Sequence, residues 1–193
     1  FNRPEFGYGD NSVIQKFYQW GQRNLDMNRL KNYKLEDGTQ RTWNRVSWSN
    51  GTPYYSDNPY WTIYENTSDD LRNRFFGNVK LRYDILPGLY AQGAVYGDHY
   101  NLTIEERVAV GSQATPSYTK TERGFTEMNY EGRLHYDKKW DRFSVSAFAG
   151  VNRRHVEQSM MYGATSGGLI VSGQYNINNS QETPIIQNTI HKR

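Results

Sequence analysis

The chain has 193 residues, a net charge of +3 and a mean hydropathy of -0.92. Its aromatic content of 15% excludes a disordered chain, because disordered chains contain few aromatic residues. Its 23 basic and 20 acidic residues are too balanced to favour a nucleic-acid partner. It contains no cysteine, which excludes disulfides, thiolate catalysis and cysteine-ligated metals.

The first 73 residues show no sustained alternation and are predicted to be a loop region with short helices. Asp10-Asn11-Ser12 can cap a helix, because Val13, Phe17 and Trp20 follow at helical spacing. A second short helix is predicted from Asp26 to Lys31. The remaining signals in this region are turn dipeptides, at Asp37-Gly38, Asn50-Gly51 and Asn58-Pro59.

Alternation with a period of two begins abruptly at Arg74 and predicts a hairpin over 74–100, turning at Leu86-Pro87-Gly88. A second hairpin is predicted over 127–152, and a further strand begins in 185–193. The segments 101–126 and 153–184 are predicted to be long loops. In each predicted strand the charged residues occupy alternate positions, so their side chains are predicted to share one face of the sheet. This charged face includes Lys80, Arg82, Asp84, Glu131, Arg133 and His135.

Both predicted long loops lie at one end of the sheet, and the short turns lie at the other end. Outer-membrane β-barrels are built in this way, and they need tilted strands of about ten residues. A soluble antiparallel sandwich can show the same alternation, with one face in its core and one in water. Because four and a half strands cannot close a barrel, the barrel interpretation requires an oligomer or, as we favour, a segment of a larger barrel. No stretch approaches the roughly 20 apolar residues of a transmembrane helix.

An ordered set of short motifs resembles the middle of the SusC/RagA-type TonB-dependent transporters. The central motifs are Asn58-Pro59-Tyr60-Trp61, Tyr64-Glu65-Asn66 and Arg72-Asn73-Arg74-Phe75-Phe76-Gly77-Asn78. The same order holds for motifs on either side, which include Asn24-Leu25-Asp26, Leu89-Tyr90-Ala91-Gln92-Gly93 and Gly150-Val151-Asn152-Arg153-Arg154. The resemblance covers essentially the whole chain.

The resemblance implies an all-β fold, as a segment of a large antiparallel transmembrane β-barrel of about 22 strands. The segments 1–73, 101–126 and 153–184 would be its extracellular loops. It implies the outer membrane of a Gram-negative, Bacteroidetes-type bacterium, and import of oligosaccharides or peptides. The implied partners are the remainder of the barrel and plug, a SusD-like surface lipoprotein that acts as a lid, and TonB through a plug segment outside this chain.

Aromatic side chains that can stack on sugar rings or peptide side chains gather in the predicted loop region 1–73. These candidate contacts for the substrate or the lid are Trp43, Trp48, Tyr54, Tyr55, Tyr60 and Trp61. An aromatic belt or packing among loops would also explain them. The charged face of the strands is the candidate lumen lining, because a charge facing lipid at mid-bilayer costs roughly 2–4 kcal/mol.

No residue pattern predicts catalysis, a cofactor or a metal site. The acid pairs Asp69-Asp70 and Glu105-Glu106 are predicted to be solvated loop acids, and the four histidines lack a ligand spacing such as HExxH. An outer-membrane hydrolase would need convergent Ser, His and acid groups, which we cannot assemble. The main alternative to the importer is a soluble all-β glycan-binding or adhesion module.

Overall fold

The computed structural model describes residues 2–4 and 13–193, so the predicted cap Asp10-Asn11-Ser12 lies outside the described residues. The elements in chain order are β1 (Asn2–Pro4), α1 (Val13–Trp20), α2 (Met27–Leu30), α3 (Pro59–Tyr64), β2 (Thr67–Leu86), β3 (Leu89–Val108), β4 (Ser117–Trp140), β5 (Phe143–Leu169), a 3₁₀-helix (Ile177–Asn179) and β6 (Ser180–Lys192). None of the described helices has the length and apolar character needed to cross a membrane.

The strands form one open sheet in chain order, and the long strands run antiparallel. Cross-strand ring pairs give the direction, because the partner's number falls as the strand's number rises. Tyr90 stacks on His135 at 4.6 Å between ring centres, and Tyr100 stacks on Phe125 at 5.1 Å. The expected all-β fold class is therefore confirmed.

The strands are much longer than the alternation predicted. β2 to β5 contain 20 to 27 residues each, rather than about ten. The predicted long loops 101–126 and 153–184 are therefore wrong over most of their length, since the connections occupy only 109–116 and 170–179. The sequence pattern fails in the outer parts of the strands because polar residues there occupy both faces, so the apolar alternation ends while the backbone pairing continues.

The two short helices at the start of the chain agree with their predicted positions. α1 covers Val13–Trp20, and α2 is capped by the carboxylate of Asp26, which accepts hydrogen bonds from the backbone N–H groups of Asn28 and Arg29. Asn58-Pro59, which was predicted to be a turn, instead begins α3. The Asn58 side chain accepts a hydrogen bond from the Tyr60 N–H, and Pro59 has no N–H that would need a partner at this position.

Gly88 closes the turn between β2 and β3 in a conformation that suits glycine. Its φ is +86°, and its carbonyl accepts a hydrogen bond of 2.6 Å from the Asp137 N–H. A Cβ added to Gly88 would collide with the Asp137 carbonyl. The turn at Leu86-Pro87-Gly88 is thus as predicted, and it is tied to the neighbouring strand β4.

We expect Gly88→Ala to destabilise this turn by about 1–3 kcal/mol, because it adds left-handed backbone strain to the collision with Asp137. Gly93→Ala in β3 is the matched control, since its Cβ would meet nothing within 4 Å. Thermal unfolding of the two variants and the unchanged protein checks this. Equal midpoints for the two variants would contradict it.

The chain divides into two compact units. The loop-bearing unit comprises Phe1–Leu71, Thr103–Glu122 and Met161–Gln187, and the hairpin unit comprises Arg72–Leu102, Arg123–Met160 and Asn188–Arg193. The buried large apolar side chains among the described residues belong to the loop-bearing unit and include Leu30, Trp43, Trp61, Tyr118 and Leu169. In the described hairpin unit Ala94 is the one buried apolar side chain, so this unit has almost no interior of its own.

Candidate functional site

One face of the hairpin unit, the apolar face, is built from large apolar side chains that are exposed. Leu81 is 73% exposed and Val151 is 77% exposed. Soluble monomers rarely leave a contiguous apolar patch larger than a few hundred Å² open to water. This face is therefore of the kind that another apolar surface or lipid covers. Its large members are Val79, Leu81, Tyr83, Ile85, Val95, Tyr130, Leu134, Tyr136, Phe143, Val145 and Val151.

The opposite face of the same strands, the charged face, carries all six candidate lumen residues. Tyr90 connects two of them, since the Arg82 guanidinium lies 3.8 Å from the centre of its ring and His135 stacks on it. Lys80 lies 5.5 Å from the Tyr96 ring centre. The backbone alternation thus places Lys80, Arg82, Asp84, Glu131, Arg133 and His135 on one face, as the sequence predicted.

Ion pairs neutralise most carboxylates of the charged face, and Asp137 accepts a hydrogen bond from the Ser146 hydroxyl. Glu127 accepts two hydrogen bonds of 2.8 Å from Arg154, a bidentate pairing that fixes both side chains. The other pairs are Arg74 with Asp98 at 2.6 Å, Arg82 with Asp84 at 2.7 Å, and Arg133 with Glu131 at 2.9 Å. These pairs are largely exposed, so each contributes little to stability. They leave the face with a surplus of positive charge.

The aromatic candidates of the loop-bearing unit divide into buried and exposed residues. Trp61 is 2% exposed, and its indole N–H donates to the Ser112 hydroxyl at 2.9 Å. Trp43 is 5% exposed and stacks on Phe17 at 6.1 Å between ring centres. The expectation that Trp43 and Trp61 contact substrate or lid is corrected by this burial, since neither indole face is open to a ligand.

Exposed aromatic side chains remain on this unit. Trp48 is 90% exposed, Tyr60 is half-buried, and the Tyr55 hydroxyl donates to the Tyr54 hydroxyl at 2.9 Å. Tyr55 also stacks in parallel on Trp20, with ring centres 4.7 Å apart. Trp20 was considered only as part of a helix, because its pairing with Tyr55 spans residues far apart in the sequence.

The backbone of Tyr55 is strained. Its φ of +62° lies in the left-handed region, where a bulky side chain is costly. The hydrogen bond that the Tyr55 hydroxyl donates to Tyr54, with some desolvation, raises the pKa of Tyr55 above its ordinary value. A strained, exposed aromatic residue is typical of a binding surface, which makes Trp20, Tyr54 and Tyr55 the strongest candidate contacts of this unit.

A buried polar network around Asp57 holds the loop-bearing unit together. Asp57 Oδ1 accepts hydrogen bonds of 2.7 Å from the Gln40 amide and from the Gln113 N–H. Asn66 Oδ1 accepts from the Ala109 N–H and from the Ser112 hydroxyl, both at 2.9 Å. Burial raises the pKa of Asp57, while the hydrogen bonds from Gln40 and Gln113 oppose that rise. The network joins segments far apart in the chain, so the sequence pattern did not indicate it.

The acid pairs are part of the strands, and the expectation of solvated loop acids is wrong. Asp69 lies in β2, and Glu105 lies in β3. Both bind Arg107, at 3.0 Å and 2.8 Å respectively, and the Arg107 guanidinium lies 5.9 Å from the Tyr175 ring centre. A cation between the two acids indicates an ion-pair cluster that joins strands, not a hydrolytic pair.

The described residues contain no group of three or more His, Asp or Glu side chains placed to hold a metal ion. His99 instead pairs with the Thr126 hydroxyl at 2.9 Å and with the Asn101 amide at 3.3 Å. The fold and the two faces define an all-β protein with an open antiparallel sheet. The sequence matches no model of a known protein family, and comparison with curated proteins finds no significant match.

Proposed function

We propose that this chain is part of the β-barrel of a TonB-dependent outer-membrane importer of oligosaccharides or peptides. In this proposal it lies in the outer membrane of a Gram-negative, Bacteroidetes-type bacterium and works with a SusD-like lipoprotein lid. One observation carries the proposal: the hairpin unit has an exposed apolar face and a charged opposite face, with almost no interior between them. A barrel wall between lipid and water has this composition.

The extent of the apolar face supports a membrane. On the apolar face of β5 the side chains from Phe143 to Val151 are apolar or small, and the next two side chains on that face are Arg153 and His155. Nine strand residues span about 27–30 Å, which is close to the ~25 Å apolar band of outer-membrane barrels. On β3 the same change occurs after Val95. A limited apolar band followed by polar residues on the same face is what a bilayer of fixed thickness requires.

Because the sheet is open, the proposed barrel needs further strands to close it. β6 is an outer strand of the sheet, so one of its edges has no strand beside it among the described residues. Unpaired backbone groups in lipid cost several kcal/mol each, and only closed barrels avoid this cost. We therefore propose that further strands and a plug complete the barrel. The charged face would line its lumen, with the exposed aromatic side chains of the loop-bearing unit near substrate and lid.

A soluble all-β glycan-binding or adhesion module is the second candidate. The exposed rings of Tyr54 and Tyr55, with the half-buried Trp20 stacked on Tyr55, favour it, since such rings also bind sugars on soluble domains. The loop-bearing unit has its own buried side chains, which is consistent with a binding domain. In this case a second apolar surface would cover the apolar face of the sheet.

The two candidates differ in their need for detergent. We expect the native particle that contains this chain to be extracted only with detergent, and peptide mapping by mass spectrometry to find further barrel strands, a plug and a lipoprotein in it. Recovery of the chain in plain buffer as a single species would contradict the importer and favour the binding module. The 22.6 kDa mass of the chain allows it to be followed on denaturing gels in either case.

A further inference from the structure

A depression of about 330 Å³ opens on the charged face of the hairpin unit, where β3 to β6 lie side by side. This volume is at the lower end of the range for small-molecule sites, roughly 300–1,000 Å³. Its lining combines an arginine, a histidine, aromatic rings and uncharged hydrogen-bonding groups. The side chains that matter for the argument are Tyr100, Arg123, Phe125, Gln158, Thr189 and His191.

The charge in and around the depression is positive. No acidic side chain of the described chain lines it, and Arg123 makes no ion pair or hydrogen bond with the described residues. Glu127 is the neighbouring acid on this face of β4, and Arg154 already neutralises it in a bidentate pair. Arg72 lies 4.2 Å from the Tyr100 ring centre and adds a second cation beside the depression, where the nearby carboxylate of Asp98 is paired with Arg74. The site is therefore suited to an anion.

The rest of the lining is suited to a ring that carries hydroxyl groups. Tyr100 and Phe125 form a stacked pair at one side, with 16° between their planes. Gln158 and Thr189 supply an amide and a hydroxyl, groups that donate and accept hydrogen bonds with sugar hydroxyls. A peptide commonly gains its main-chain hydrogen bonds at a free strand edge. This depression lies instead on a sheet face, where the backbone groups of β3 to β5 are already used between strands.

We propose that this depression binds a uronic-acid unit of an acidic oligosaccharide. Arg123 pairs with the carboxylate, because a guanidinium matches the planar geometry of a carboxylate in a bidentate contact. Phe125 contacts the sugar ring, because Arg72 already covers the neighbouring Tyr100, while Gln158 and Thr189 bind hydroxyls. The inference deepens the proposed function and rests on it in one respect, namely that the charged face is turned to a water-filled lumen that a ligand can enter.

The test is titration of the native, detergent-purified particle with a galacturonic-acid trisaccharide, a galactose trisaccharide and triglutamate. We expect the acidic trisaccharide to bind at least tenfold more tightly than the neutral one, and Arg123→Gln to remove most of that difference. Arg153→Gln is the matched control, because Arg153 is an exposed arginine on the opposite face of β5. It should leave the preference unchanged.

Several outcomes would overturn the inference. These are equal affinity for the two trisaccharides, equal losses in Arg123→Gln and Arg153→Gln, and tighter binding of triglutamate, which would indicate an acidic peptide. If Arg123→Gln does not accumulate, the salt dependence of the unchanged protein decides, because screening should weaken binding of the acidic trisaccharide only. A particle that needs detergent but shows no charge preference refutes this inference alone. Charge-dependent binding by a chain soluble in plain buffer refutes the importer alone.

Discussion

Leu81→Arg is expected to abolish stable assembly in the outer membrane, whereas Lys80→Gln one residue earlier should leave it intact. Leu81 is 73% exposed on the apolar face, and Lys80 lies on the charged face of the same strand. An arginine facing lipid near the bilayer midplane costs about 2–4 kcal/mol, while loss of a charge in a water-filled lumen costs little. Outer-membrane fractionation, with the heat-dependent gel mobility of folded barrels as the readout, measures the difference. Equal tolerance at both positions would refute the membrane assignment.

Arginine on an apolar face also damages a soluble sandwich, so a second substitution separates the two interpretations. Val145→Phe enlarges an apolar side chain on β5, where Val145 is 46% exposed. Lipid accommodates a larger apolar group, whereas overpacking a close-packed core costs about 1–3 kcal/mol. We expect normal amounts of the Val145→Phe variant in the membrane. A loss as severe as that of Leu81→Arg would indicate a packed core instead.

The sequence predicted the hairpin unit well because a single constraint acts there. Successive side chains of β2 between Val79 and Ile85 point to opposite faces of the sheet, and the apolar side chains all fall on the same face. The alternation stops at Pro87 and Gly88, which form the turn between β2 and β3 in the structure. The charged face followed from the same alternation, so its six candidate residues could be assigned before their contacts were known.

The loop-bearing unit was predicted poorly because its structure depends on contacts between distant residues. Glu105 and Arg107 share a strand face, and Asp69 reaches them from another strand, so the polar pattern resembled a loop although the backbone continues in the sheet. The burial of Trp61 depends on Ser112, a partner 51 residues away. Composition cannot distinguish a buried tryptophan from an exposed one, and this limit explains why the aromatic candidates had to be divided by the structure.

Asp57→Ala should loosen the loop-bearing unit by about 2–4 kcal/mol, because it leaves the Gln113 N–H and part of the Gln40 amide without an acceptor in a buried place. Asp57 is 4% exposed and Gln40 is 3% exposed, so water cannot replace the lost acceptor without opening the network. Hydrogen exchange at Ala109 and Gln113 measures the loosening. Unchanged exchange at both amides would show that the network is not needed for order in this segment.

Asp57→Asn is the conservative partner of that substitution and also tests the ionisation of Asp57. Its amide oxygen can still accept from Gln40 and Gln113, so we expect a much smaller loss of protection. Burial raises the pKa of Asp57 above its ordinary value of 3.8, although the charge of Lys16 opposes the rise. The native state therefore binds the proton more tightly than the unfolded state, and the contribution of Asp57 to stability decreases as the pH rises from 3.8 through the raised pKa. The Asp57→Asn variant should lose this pH dependence, so parallel pH profiles of the variant and the unchanged protein would contradict an unfavourable buried charge.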